Sequence, residues 1–150
     1  MDEAAWQKLM NRVREKNVIP IIGPRLLVGA DGQTSLQAQM AAHLMQSKMA
    51  ASLMQACGKN VGEISLPPFR ELNEAVSQLK GIGADPQDLY DSVHEAIRAV
   101  TSAEHFTTPE PIQQLAEIAD FRLFVTLTPD DLLASCLRER CAVNEIIYSP

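Results

Sequence analysis

Two short stretches of the chain set polar and charged groups at the end of an apolar run. The first is Gly23-Pro24-Arg25, directly after Val18-Ile19-Pro20-Ile21-Ile22. Glycine allows close approach of a backbone or a ligand, and a guanidinium matches the oxygens of a phosphate. The second is Thr126-Leu127-Thr128-Pro129-Asp130-Asp131, which follows Phe121-Arg122-Leu123-Phe124-Val125. It presents hydroxyls, carboxylates and the start of a helix. In open parallel sheets ligands collect outside the carboxyl ends of the strands, so both stretches are candidates for such a place.

The same residues also read as plain structural turns. Thr128 can cap a helix, Pro129 at the first helical position has no donor to leave unpaired, and Asp131 stands three residues after the cap. That accounts for the second stretch without any ligand. The glycine-rich loops that cradle nucleotide phosphates follow G-x-G-x-x-G or G-x-x-x-x-G-K-[ST], and neither pattern occurs. Pro24 lacks an amide that a phosphate would use, and Asp130 with Asp131 would repel an anion from the second helix start.

Other reactive residue types are scattered. His43 has no acidic or thiol partner at helical spacing, and His94 and His105 have no metal-ligand spacing to each other. Cys57, Cys136 and Cys141 are odd in number, and the last two are five apart, which gives neither a closed disulfide framework nor a CxxC knuckle. No metal site is expected. Met40, Met45, Met49 and Met54 fall in one long helical run, where methionine serves either as core filler or as an adaptable contact face for an oligomer.

The elements that must hold these groups can be read in order. Residues 2–16 carry Trp6, Leu9, Met10 and Val13 at the spacing of one helical face, with Asp2 as N-cap. Residues 18–22 read as a strand, in which Pro20 cannot donate to a ladder. Asp31-Gly32 signals a turn, and Thr34 or Ser35 then caps a long helix from residue 36 to about 57. Residues 58–68 form a loop by composition, long enough to cover a site, and residues 69–79 form a short helix stopped by Gly81-Ile82-Gly83. Asp85-Pro86-Gln87-Asp88 starts a further helix that buries Leu89, Val93, Ile97 and Val100, and Thr107-Thr108-Pro109-Glu110 starts another with Ile112, Leu115 and Ile118 inward. Residues 121–126 are the second strand. A helix with Leu132, Leu133, Cys136 and Leu137 on its buried side leads to a third strand at 145–149.

Strands separated by helical crossovers predict an α/β fold: a Rossmann-like parallel sheet with helices on both faces and a helix-rich insert between the first and second strands. At 150 residues the chain has room for one domain with a single core. A sheet that ends on a fresh strand usually continues, so residues 1–150 are expected to be the N-terminal part of a longer protein. The formal net charge of −6 disfavours binding to nucleic acid, which needs clustered Lys and Arg. No run approaches the roughly 18 apolar residues of a membrane span, and Met1-Asp2-Glu3 is acidic where a secretion signal is basic. These features point to the cytoplasm, with no membrane partner.

Taken together, the two strand ends resemble the sirtuin-like family of NAD-binding domains, especially its divergent bacterial branch found in phage-defence proteins. That family's first strand runs into a Gly-Ala-Gly-Val-Ser type loop, and Ile21-Ile22-Gly23-Pro24-Arg25-Leu26-Leu27 sits in its place. The later family signature is an apolar strand, then Thr-x-Asn-x-Asp and a Leu-Leu-Glu helix. Thr126, Asp130, Leu132 and Leu133 match it. The resemblance implies NAD as cofactor, with Gly23, Pro24, Arg25, Thr126 and Asp130 as its binding residues and Thr128 and Asp130 as the candidates for catalysis.

The departures bear on activity. NAD-hydrolysing members use the Asn of the second motif, where this sequence has Thr128, and a His from further along than residue 150. Only the first glycine of the loop is kept, as Gly23. The resemblance therefore implies a nucleotide-sensing or scaffolding module of a bacterial multidomain defence protein, of the NAD or ADP-ribose type, with a downstream effector such as a TIR domain. Two alternatives remain open: an NAD hydrolase whose other catalytic groups lie beyond residue 150, and a protein–protein oligomerisation domain.

Overall fold

The computed structural model describes residues 2–29, 34–58 and 65–147. The fold is mixed α/β and helix-rich, with a small two-stranded parallel sheet. In chain order the elements are α1 (Glu3–Arg14), β1 (Ile21–Ile22), a 3-10 turn (Pro24–Leu26), α2 (Leu36–Met45), α3 (Lys48–Ala56), α4 (Glu71–Gly81), α5 (Pro86–Thr101), α6 (Glu110–Ala116), β2 (Val125–Thr126) and α7 (Leu132–Arg138). They gather into two compact units: Leu27–Thr107, which is helical, and Met1–Leu26 with Thr108–Pro150, which holds the strands.

In the helical unit, capping chemistry sets where helices begin. Ser35 Oγ accepts from the amide of Gln37 at 3.1 Å and starts α2, and Asp85 Oδ1 accepts from Gln87 at 2.8 Å and starts α5. The single long helix expected over residues 36–57 is broken. Ser47 takes an extended conformation and its hydroxyl accepts from Ala50 at 3.2 Å, so the chain restarts as α3. A serine hydroxyl competes with the helix for backbone partners, and here that competition wins. Phe69 has φ 62°, which holds α4 back to Glu71, and α4 runs on to Gly81 before Gly83, at φ 95°, turns the chain left-handed.

α2 packs against α4 and α5, and α3 against α2 and α5. Met40, Ala41, Leu44, Ala50, Ala75 and Leu79 have no exposed surface, and Met45 and Met54 are buried with them. Of the methionine run, Met40, Met45 and Met54 are therefore core, and Met49 is half-buried. Three polar residues share this interior. Ser35, which caps α2, donates to Glu71 Oε2 at 3.5 Å, and Glu71 is the first residue of α4. The carboxylate thus meets the amino-terminal ends of two helices, where the backbone dipoles favour negative charge. Gln37 is also buried, and its Oε1 accepts no hydrogen bond among the described residues.

The strand-bearing unit is thinner. Asp2 caps α1 by accepting from Ala5 at 2.7 Å, but the apolar stripe of that helix is covered only toward its end: Val13 is buried, whereas Trp6 is 47% exposed. Both strands are shorter than their apolar runs. Of residues 18–22 only Ile21 and Ile22 pair, and of residues 121–126 only Val125 and Thr126. Pro20 has no N–H to give, and it contributes its carbonyl, which accepts from Val125 at 3.0 Å. Ile21 and Val125 are register partners and both are exposed, as are Ile19, Leu123 and Leu127 at alternating positions. The opposite side carries Ile22, which is buried.

The third strand is not found. Residues 145–147 make no ladder, and Ile146 and Ile147 are 91% and 89% exposed; residues 148 and 149 lie outside the described residues. A β-branched pair forms a strand only where a neighbour offers a ladder and a face to bury against. Here Glu145 is held by an ion pair with Arg138 of α7 instead. The expected turn at Asp31-Gly32 and most of the 58–68 loop also lie outside the described residues.

Candidate functional site

β1 and β2 run parallel with Ile21 opposite Val125 and Ile22 opposite Thr126. This register brings the two strand ends side by side. The Leu127 amide donates to the Ile22 carbonyl at 2.8 Å, so Gly23-Pro24-Arg25 departs next to the start of Leu127 to Asp131. All the residues singled out as site candidates, Gly23, Pro24, Arg25, Thr126, Thr128 and Asp130, belong to one compact unit.

The first loop is a tight turn. The amide of Leu26 donates to the Gly23 carbonyl at 3.2 Å, closing the 3-10 turn that contains Pro24 and Arg25. A Cβ built on Gly23 would meet nothing within 4 Å, and its φ lies outside the left-handed region. Neither crowding nor backbone conformation demands glycine there. Space beside the turn is left open, and Arg25 is exposed.

The second loop departs from its expected geometry. Pro129 was expected at the first helical position with Thr128 as the cap, but α7 begins at Leu132. Thr128 is instead buried, at 9% exposure. The capping oxygen comes from Asp130, whose Oδ1 accepts from the Leu132 amide at 3.2 Å. An aspartate two residues before the donated amide makes the same local bond as a cap, so the Pro-Asp-Asp order supports more than one start.

The two carboxylates have different surroundings. Asp131 faces along α7, accepting from Ser135 Oγ at 3.3 Å with Arg138 at 3.9 Å, so its charge is partly matched. Asp130 Oδ2 is buried and accepts no hydrogen bond among the described residues. A buried carboxylate oxygen without a donor is unfavourable. Thr126 is exposed at the sheet's carboxyl edge. The arrangement thus offers an exposed guanidinium, an exposed hydroxyl and a buried acceptor oxygen along one edge.

On α7 itself, Cys136 is half-buried. Burial pushes its thiol above the ordinary thiol value, the Glu139 carboxylate adds to the rise, and a hydrogen bond with the Thr108 side chain opposes it. That direction makes it a poor nucleophile at neutral pH. Among the described residues no three His, Cys, Asp or Glu side chains converge to hold a metal ion. The histidines belong to the helical unit, and His94 packs edge-on against Tyr90 of the same helix, with ring centroids 4.3 Å apart. A shallow depression there is lined by Tyr90, Asp91, His94, Glu95 and Arg98, all on α5. One helix alone cannot enclose a ligand.

Sequence reasoning missed the role of Asp130 and the pairing of Ser35 with Glu71. The first was hidden because Thr128 and Asp131 fit a capping pattern equally well; the second joins residues 36 apart, beyond any local signal. Comparison of the chain with protein-family models, with curated proteins and with solved structures finds no match.

Proposed function

We propose that the chain is a nucleotide-sensing or scaffolding module of the sirtuin-like type, taking an NAD or ADP-ribose type ligand at the carboxyl edge of its parallel strands. The observation that carries the reading is the β1–β2 register, which sets Gly23-Pro24-Arg25 beside Thr126 to Asp130. Arg25 would pair with phosphate, Gly23 would leave room for it, and Asp130 Oδ2 would accept from a donor on the ligand. The fold of this proposal is Rossmann-like, a parallel sheet with helices on both faces. The setting it implies is a bacterial defence or signalling protein of the cytoplasm, acting with an effector domain such as TIR. No helix of the described residues is long and apolar enough to cross a membrane, which agrees with that setting.

Isothermal titration with NAD and with ADP-ribose tests the ligand half. Saturable heat that weakens in Arg25→Ala supports it, and absence of heat at millimolar ligand leaves scaffolding alone. A second reading, NAD hydrolysis, is favoured by the Asp130 oxygen that has no partner among the described residues, two positions along the chain from Thr128, which stands where the family has Asn. It predicts nicotinamide release that falls in Asp130→Ala and Thr128→Ala. Release unchanged in both variants would place the chemistry elsewhere.

A further inference from the structure

We draw no further inference here: the strongest candidate, the apolar face of the two-stranded sheet carrying Ile19, Ile21, Leu123, Val125 and Leu127, is exposed, and nothing in the structure shows what covers it.

Discussion

Met40, Ala41 and Leu44 on α2 have no exposed surface, while Ile21 on β1 and Leu127 just past β2 are each 66% exposed. The same apolar residue types therefore have opposite fates in the two units. In the helical unit, α2 lies against α4 and α5, so each apolar side chain finds neighbours on more than one side. In the strand-bearing unit two residues of each strand make the whole ladder, and one face of it is open. A two-stranded pair is marginal by itself. Cohesion is thus concentrated in the helical unit, and the candidate site sits where little is invested in packing.

The comparison breaks most directly if core and sheet truncations have equal effects. Leu44→Ala removes a fully buried side chain and should lower unfolding stability by about 2–5 kcal/mol. Ile21→Ala removes atoms already mostly in water and should change it by less than about 0.5 kcal/mol. Urea denaturation followed by circular dichroism measures both. Similar losses for the two variants would mean that the open face is covered in solution.

The next effect is polar. Glu71 is 7% exposed and receives the Ser35 hydroxyl at the junction of two helix starts. Glu71→Ala removes the acceptor of the buried Ser35 hydroxyl and should destabilise by about 1–3 kcal/mol. Glu71→Gln keeps an oxygen there and should cost less. If the glutamine variant were the worse of the two, crowding rather than acceptor chemistry would govern the position.

Asp130→Asn separates stability from binding. Its Oδ1 bond to Leu132 survives and the charge on the unpartnered oxygen is removed, so unfolding stability should stay level or rise slightly. Under the nucleotide-sensing proposal the same change weakens ADP-ribose about tenfold, which is about 1.4 kcal/mol. A variant that loses stability and keeps its ligand would reverse the roles given to the two oxygens. Ser47→Ala has a smaller effect, about 1 kcal/mol from the lost cap of α3.

How much of this was legible in the sequence depended on whether the deciding interaction was local. Asp2, Ser35 and Asp85 were readable as caps because each bonds an amide two or three residues on. The parallel pairing of the runs that contain β1 and β2 followed from the helices between them. Ser47 was not read as a break because the residues around it keep apolar helical spacing through both α2 and α3. The third strand was overread: Ile146-Ile147 has the right composition, but composition does not supply a neighbour, and both side chains remain in water. In the second loop the expected cap, Thr128, gives way to Asp130, whose Oδ1 accepts from the Leu132 amide. Several starts compete there on nearly equal local terms.

The smallest effect expected concerns Cys136, and it sharpens the contrast inside the strand-bearing unit, where α7 buries Leu132 and Leu133 while one side of the sheet is bare. Cys57 and Cys141 are exposed, and Cys136 is half-buried with its thiol raised by burial and by Glu139. A disulfide reagent at pH 8 should therefore modify Cys57 and Cys141 first and Cys136 last. Slow labelling alone could reflect access, so the pH dependence decides: the Cys136 rate should rise with a midpoint above the ordinary thiol value. Thr108→Ala removes the hydrogen bond that favours the thiolate and should move that midpoint higher still. The linked effect on stability has the same origin. The neutral thiol is favoured in the folded state, so its contribution is complete below the ordinary thiol pKa and fades as pH climbs through the raised folded value. A midpoint at or below the ordinary value would show Cys136 to be solvated, and α7 to be as open on that side as the sheet is on its bare face.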